Sequence, residues 1–203
     1  MIPILILAAG SSSRMRGKDK LLEKLNNQPV LRRQAQRAIA TGAQVFIALP
    51  DADHPRAAVI TDLDVTPLIT PDATEGMSGT MRNAIAQLPP CPAFMILLAD
   101  LVALDTADLR TVLHAHDTHP DHLIWRGTTE DGQPGHPIIF DSSLRPAFAK
   151  LTGDSGGAAI VKAQPAQTRL VRLPGQRALL DLDTPEDWAD WRASIAFNEI
   201  PET

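Results

Sequence analysis

Four cations alternate along a short stretch near the start of the chain, Arg14, Arg16, Lys18 and Lys20. They follow an apolar run, Ile4 to Leu7, that breaks at Ala8-Ala9-Gly10 into Ser11, Ser12 and Ser13. This is the pattern of a buried strand feeding a phosphate loop. The alanines leave room beside the strand end, and Gly10 can take backbone angles closed to other residues, so main-chain N–H groups can face an anion. The serines add short donors without bulk. Arg14 offers a planar fork, and Lys20 a flexible point charge from the far end of the loop, where it is expected to be exposed. The chain carries a net charge of −5, so this local excess opposes the global sign and points to a small polyanionic ligand. A solvated basic turn is the plainer alternative. Two commoner phosphate motifs are excluded. Gly17-Lys18 is followed by Asp19 rather than Ser or Thr, and Gly10 and Gly17 stand alone instead of forming Gly-x-Gly-x-x-Gly.

Carboxylates supply the other half of the chemistry. Phe94 to Ala99 is the strongest buried strand and ends on Asp100, badly placed for stability and well placed for a metal. Asp105 and Asp108 lie nearby, but a helix is expected over 106–117, and an acid in its first turn answers to the helix dipole. Near the end, Leu179 to Asp187 alternates apolar and acidic residues. Thr184 is placed to cap a helix, Pro185 to start it, and Glu186 and Asp187 to occupy its first turn. Asp181 and Asp183 have no such reason to be there, which makes a metal shared with Asp100 worth proposing. His114, His116, His119 and His122 complete no plausible ligand set and receive no role.

The elements that must position these groups alternate strand and helix. Helical spacing covers Gln28 to Thr41, Val45 to Leu49 reads as a buried strand, and a short helix near His54 to Ile60 precedes a strand around Val65 to Ile69. Parallel pairing with right-handed crossovers follows. Thr70 to Thr80 is a loop running into a helix from about Ser78, which can cap it; Gly76 and Ser78 would then face the pocket of Gly10. Beyond the strand Leu123 to Arg126, Gly127 to Pro137 is turn-rich and contains His136, with a short strand at Ile138 to Phe140 and a short helix at Leu144 to Lys150. A second glycine-rich loop holds Gly153, Asp154 and Ser155. These long loops suggest an acceptor-binding elaboration. Trp188 and Trp191 read as packing on a closing helix.

Length and composition agree with one globular domain over 1–197, its nucleotide half about 1–105 and its acceptor half about 106–197, followed by a loose tail at 198–203. The absence of Tyr argues against an aromatic-anchored protein interface, and the acidic balance against nucleic acid. Lone Cys91 rules out an internal disulfide, and no apolar stretch approaches a membrane span, so a cytoplasmic location is expected.

In order and spacing, LAAGSSSRMRGKDKLL, EGMSGT, LAD, GHPIIF, GDSGGAAI and DLDTPEDW resemble the MobA-like NTP transferases, and among them the CTP:molybdopterin cytidylyltransferase branch. The resemblance implies an α/β, Rossmann-like nucleotidyltransferase fold with a mostly parallel sheet and helices on both faces. It implies that CMP passes from CTP to the terminal phosphate of molybdopterin, with Mg²⁺ held by Asp100 and Asp183. Arg14, Lys20 and Asp100 would be catalytic. The nucleotide would be bound by Leu7, Ala8, Ala9, Gly10, Ser12, Arg14, Lys20, Pro71, Gly76, Met77 and Ser78, and the acceptor by His136, Gly153, Asp154 and Ser155. Ala9 stands where the guanylyl branch commonly has glycine, which favours cytosine. A molybdenum hydroxylase or its maturation factor would be the downstream partner. This chain departs from the family pattern at Leu101-Val102 after the metal Asp, at Arg16 inside the loop, at Thr70, and at Gly157-Ala158, where an arginine is missing. A same-fold transferase with another phosphorylated acceptor, and a non-catalytic accessory protein that binds the cofactor, remain as alternatives.

Overall fold

The computed structural model describes residues 1–154 and 156–198. Its strands are β1 (Ile4–Leu7), β2 (Lys24–Leu25), β3 (Gln28–Pro29), β4 (Val45–Leu49), β5 (Thr66–Ile69), β6 (Ala93–Leu98), β7 (Ile124–Thr128), β8 (Pro134–Asp141) and β9 (Thr168–Arg172). The helices are α1 (Val30–Ile39), α2 (Pro55–Ala58), α3 (Met77–Gln87), α4 (Thr106–Thr118), α5 (Arg145–Phe148), α6 (Ala158–Lys162) and α7 (Pro185–Asn198). Seven strands form one sheet in the order β5-β4-β1-β6-β8-β7-β9. The first four of these run parallel, β8 runs antiparallel to both β6 and β7, and β9 is again parallel to β7.

Alternation along the strands fills both faces of the sheet. Ile4 and Ile6 pack with Val30, Leu31 and Ala35 of α1, Leu109 and Val112 of α4, and Trp188 of α7. Leu5 points the other way, into a cluster with Met81, Ala84 and Ile85 of α3 and Phe148 of α5. Strands buried on both faces must be apolar at every position, which is why β1, β4 and β6 read as continuous runs. The fold is thus the Rossmann-like nucleotidyltransferase sheet that the resemblance implies.

Several boundaries differ from the sequence reading. The first helix begins at Val30, because Gln28 and Pro29 pair with Leu25 and Lys24 in a small hairpin. The turn-rich segment 127–137 is largely strand, with a bulge in the β7–β8 register between Arg126 and Thr128. β9 was not anticipated. The helix near Leu144 divides into a 3-10 turn at Ser142–Leu144 and α5. Ser78 lies inside α3, and Gly76 occupies the cap position. Asp105 and Asp108 form a reciprocal capping box on α4, as the dipole argument requires. Of the tail expected over 198–203, Asn198 ends α7 and the other residues lie outside those described. Among the described residues no helix is long and apolar enough to cross a membrane.

Candidate functional site

At the carboxyl ends of β1, β4 and β6 the chain leaves a cleft of about 930 Å³. This is where parallel α/β sheets bind ligands, outside the strand ends. The cationic loop forms one wall. Ser12 and Arg16 take left-handed backbone angles on either side of one 3-10 turn, Ser13–Met15, and the Met15 side chain is buried beneath it. Leu7, Ala9, Gly10, Ser12 and Lys20 line the cleft, joined by Gly76, Met77, Asp100 and Asp154. Ala8 is buried just below, with its carbonyl accepting a bond from Arg56 Nη1 at 2.6 Å.

Asp100 follows the end of β6, and Asp183 lies two residues before α7; both reach the same lysine. Lys20 Nζ donates to Asp100 Oδ2 at 2.5 Å and to Asp183 Oδ1 at 2.7 Å, while Arg14 Nη1 meets the other oxygen of Asp183 at 2.6 Å. Lys20, Asp100 and Asp183 are each only 18% exposed at the side chain, which corrects the expectation of an exposed lysine. Burial disfavours the ammonium, but the two carboxylates outweigh it and raise the Lys20 pKa above its usual value. Asp181 stands beside them. Its pKa is raised by burial and then by the charges of Asp183 and Asp100. Among the described residues no group of three His, Cys, Asp or Glu is arranged to hold a metal. Two carboxylates sharing one cation do suit a hard divalent ion that takes its remaining ligands from phosphate and water.

Both flanks of this centre are tied to α1. Val30 and Leu31 N–H groups donate to Glu23 and Leu21 carbonyls just beyond Lys20. From the same helix, Gln34 Nε2 donates to Leu101 O at 2.9 Å, and Arg37 Nη1 to the carbonyls of Val102 and Leu104. Leu101 and Val102, which follow Asp100, are core residues at 2% exposure each. They pack beneath the site and do not face it.

On the opposite wall two glycine-rich loops meet. Asp154 Oδ1 accepts the Met77 N–H at 2.8 Å at the start of α3, and a Cβ on Gly76 would stand 2.5 Å from that oxygen. Ser78 is fully buried, and its hydroxyl accepts the Gly156 N–H at 3.2 Å. The residue expected to cap the helix and face nucleotide therefore braces the neighbouring loop. Pro71 opens a 3-10 turn and is exposed outside the cleft, whereas Ala73 and Thr74 of that turn line it. Gly153 is exposed beside Asp154, and Ser155 lies outside the described residues.

His136 sits apart from that loop, on β8. Burial lowers its pKa to about 4, Arg126 adds to the shift and Asp100 opposes it, so the imidazole is neutral at pH 7. Its Nδ1 is buried without a partner among the described residues. The expected acceptor residues thus fall in two places, one near Asp100 and one near Met77.

Sequence reasoning missed Asp51, His54 and Arg56, which line the cleft from the connection after β4. Their only local signal was an arginine following His-Pro in an acidic turn.

The MobA-like NTP transferase domain matches residues 4–169. The chain belongs to this family. It is a nucleotidyltransferase, and its relatives agree in length as well as in pattern. A protein of Synechococcus elongatus named probable molybdenum cofactor guanylyltransferase is 33% identical over 191 residues, 91% of this chain and 94% of that protein. A protein named nicotine blue oxidoreductase, from Paenarthrobacter nicotinovorans, is 21% identical over 89% of this chain and 91% of its own length. The crystal structure of Rv0371c from Mycobacterium tuberculosis superposes with a TM-score of 0.79 at 25% identity, covering 94% of this chain and 96% of that one. The same mycobacterial protein has also been solved in complex with manganese, at a TM-score of 0.76 and 24% identity, covering 95% of this chain and 98% of that one.

Proposed function

We propose that the chain transfers a nucleotidyl group from a nucleoside triphosphate, CTP in preference to GTP, to the terminal phosphate of the molybdenum cofactor. The observation that carries this is the convergence of Lys20, Arg14, Asp100 and Asp183 beside a glycine- and serine-bearing loop that lines the cleft. An oxygen of the acceptor phosphate attacks the α-phosphorus in line. The new P–O bond forms as the bond to the bridging oxygen breaks, and pyrophosphate leaves. Lys20 and Arg14 stand where charge accumulates on the leaving group, and Gly10 and Ser12 supply donors along the triphosphate. Asp100 and Asp183 would hold a divalent ion, Mg²⁺ by preference; when bound, it neutralises phosphate charge and orients the reacting groups. Gly76 and Met77 face the nucleotide from the opposite wall. His136, Gly153 and Asp154 serve the acceptor.

The molybdenum cofactor as acceptor is supported by the name of the cyanobacterial relative. That name specifies guanylyl transfer; the reading of CTP rests instead on Ala9, 6% exposed and lining the cleft, whose methyl would narrow it for a purine. Selection of this size is worth roughly 10- to 200-fold and does not make an enzyme absolute for one base. The product would pass to a molybdenum hydroxylase or its maturation factor. Pyrophosphate release, measured with each nucleotide and with or without molybdenum cofactor, tests the proposal. Release with CTP and cofactor is expected. Release only with another phosphorylated acceptor would reassign the substrate, and tight cofactor binding without release would make the protein a carrier.

A further inference from the structure

We propose that Arg56 is a positioning residue for the triphosphate loop, a clamp that holds both ends of the loop through one guanidinium. The proposal rests on the loop being the triphosphate site. Arg56 is 2% exposed, and its side-chain bonds all go to the loop segment. Nε and Nη2 donate to the two oxygens of Asp19, each at 2.8 Å; Nη2 also donates to Ser12 Oγ at 3.1 Å, and Nη1 to Ala8 O at 2.6 Å. The partners relay the constraint. Ser12 Oγ accepts the Lys20 N–H at 3.3 Å, and Asp19 Oδ1 accepts the Leu21 N–H at 3.0 Å. Ala8, where β1 ends, and Lys20, which reaches the carboxylates, are therefore set at a fixed spacing by a residue from another element.

The loop needs such a constraint. Two of its non-glycine residues, Ser12 and Arg16, take left-handed angles that a free chain disfavours. A charge is buried at tolerable cost only when paired and fully bonded, and an apolar side chain would fill the same space more cheaply. Here the pairing partner is Asp19, inside the loop. The Arg56 main-chain N–H adds a bond to His54 Nδ1 at 3.3 Å, anchoring that part of the cleft wall to the same residue. With its donors spent on the loop, Arg56 acts on the ligand through Ser12, Asp19 and Lys20.

Without the clamp the loop would hold its binding geometry only part of the time, and apparent affinity falls by that fraction. Arg56→Gln should raise the Kd for CTP, read by calorimetry with Mg²⁺, roughly 10- to 100-fold if the competent fraction falls to about 1–10%. At saturating nucleotide kcat should stay within about threefold, because bound triphosphate itself orders the loop. In the protein without nucleotide, trypsin should cut after Arg14, Arg16 and Lys18 faster, approaching the rate of a fully open loop, since cleavage tracks the open population. Asp19→Asn should reproduce both effects, and the double variant should be no worse than either single one. If Arg56→Gln does not fold, Asp19→Asn decides. Unchanged Kd and unchanged loop cleavage in a variant of merely lower Tm would overturn the clamp, as would additive losses in the double variant. Should the unaltered protein bind no nucleotide, the transferase reading fails, and the trypsin measurement still decides the clamp.

Discussion

Replacing Lys20 with Met removes the ammonium that joins Asp100 to Asp183 and keeps most of the side-chain volume. The lysine makes two charge-assisted bonds in a part-buried setting, each worth about 1.5–3 kcal/mol before the cost of desolvating the ammonium is subtracted. A net loss of about 2 kcal/mol is reasonable, because two facing carboxylates are left without their common partner. For a chain of this size each kcal/mol moves Tm by roughly 2–4 °C, so Lys20→Met should melt about 4–8 °C lower than the unaltered protein. An exposed loop lysine would have changed stability hardly at all. The second half of the experiment adds millimolar Mg²⁺ or Mn²⁺ without nucleotide. In the unaltered protein the ion must compete with the ammonium, whereas in the variant Asp100 has lost its cation and Asp183 keeps only Arg14. Its stabilisation by mass action should therefore be larger in the variant, and much of the lost Tm should return. Calorimetric melting with and without the ion reads both effects. Equal Tm values for the two proteins, or an equal rise on adding the ion, would refute the coupling of Lys20 to this site.

If Asp100 and Asp183 hold one ion as proposed, Asp100→Asn and Asp183→Asn should each collapse turnover with the cofactor acceptor and the double variant should be little worse; additive losses in kcat would separate them. For His136 the folded pKa of about 4 lies below the ordinary 6.5, so the unfolded chain binds the extra proton between those values and stability falls as pH drops through that window. The loss is at most about 3 kcal/mol and nearer 1–2 for a part-exposed residue, and denaturant melts of His136→Asn should show a flatter pH profile between 4 and 6.5. Gly76→Ala puts a Cβ at φ +103° and 2.5 Å from the Asp154 carboxylate. It should cost on the order of 1–3 kcal/mol in unfolding, read by denaturant melts, and an unchanged unfolding free energy would refute the close contact. Ala9→Gly should shrink the ratio of CTP to GTP affinity by roughly 10-fold or more, read as a smaller difference between their thermal shifts.

The inner parallel strands and the last helix were legible because their signals are local. A strand buried on both faces must be apolar throughout, so β1, β4 and β6 announce themselves, and the Thr184-Pro185 start of α7 follows from capping rules. The later strands gave weaker signals. Pro134-Gly135-His136-Pro137 has turn composition, yet it pairs across the bulge to β7, and a Cβ on Gly135 would lie 2.1 Å from Ala178 O, a tertiary reason that no local pattern carries. β9 reads Thr-Arg-Leu-Val-Arg and lies at the sheet edge, where exposure removes the apolar run that would mark it. In the site, residue types and order identified Lys20, Asp100 and Asp183 as separate candidates. The acidic residues without a helical role suggested that Asp183 meets Asp100, but nothing local placed Lys20 between them, since the carboxylates lie far from the lysine along the chain. Ser78 was misplaced because a serine at a helix start satisfies the capping rule, while its actual partner, the Gly156 N–H, comes from a loop far along the chain.

The attachment of α1 to both flanks of the centre bears on how thermal motion reaches it. Bonds from one helix hold Leu21 and Glu23 on the lysine side and Leu101, Val102 and Leu104 on the aspartate side. A displacement of α1 is thus a common-mode motion that carries both flanks in the same direction. The spacing between the Lys20 and Asp100 segments responds only to the difference between their movements, which the shared helix suppresses. Side chains of Gln34 and Arg37 hold the carbonyl-bearing turn after Asp100, so the helix references one flank to the other. Slow drift of the whole helix is tolerated by such a frame, and loss of the Gln34 or Arg37 bonds would let the two flanks move out of step.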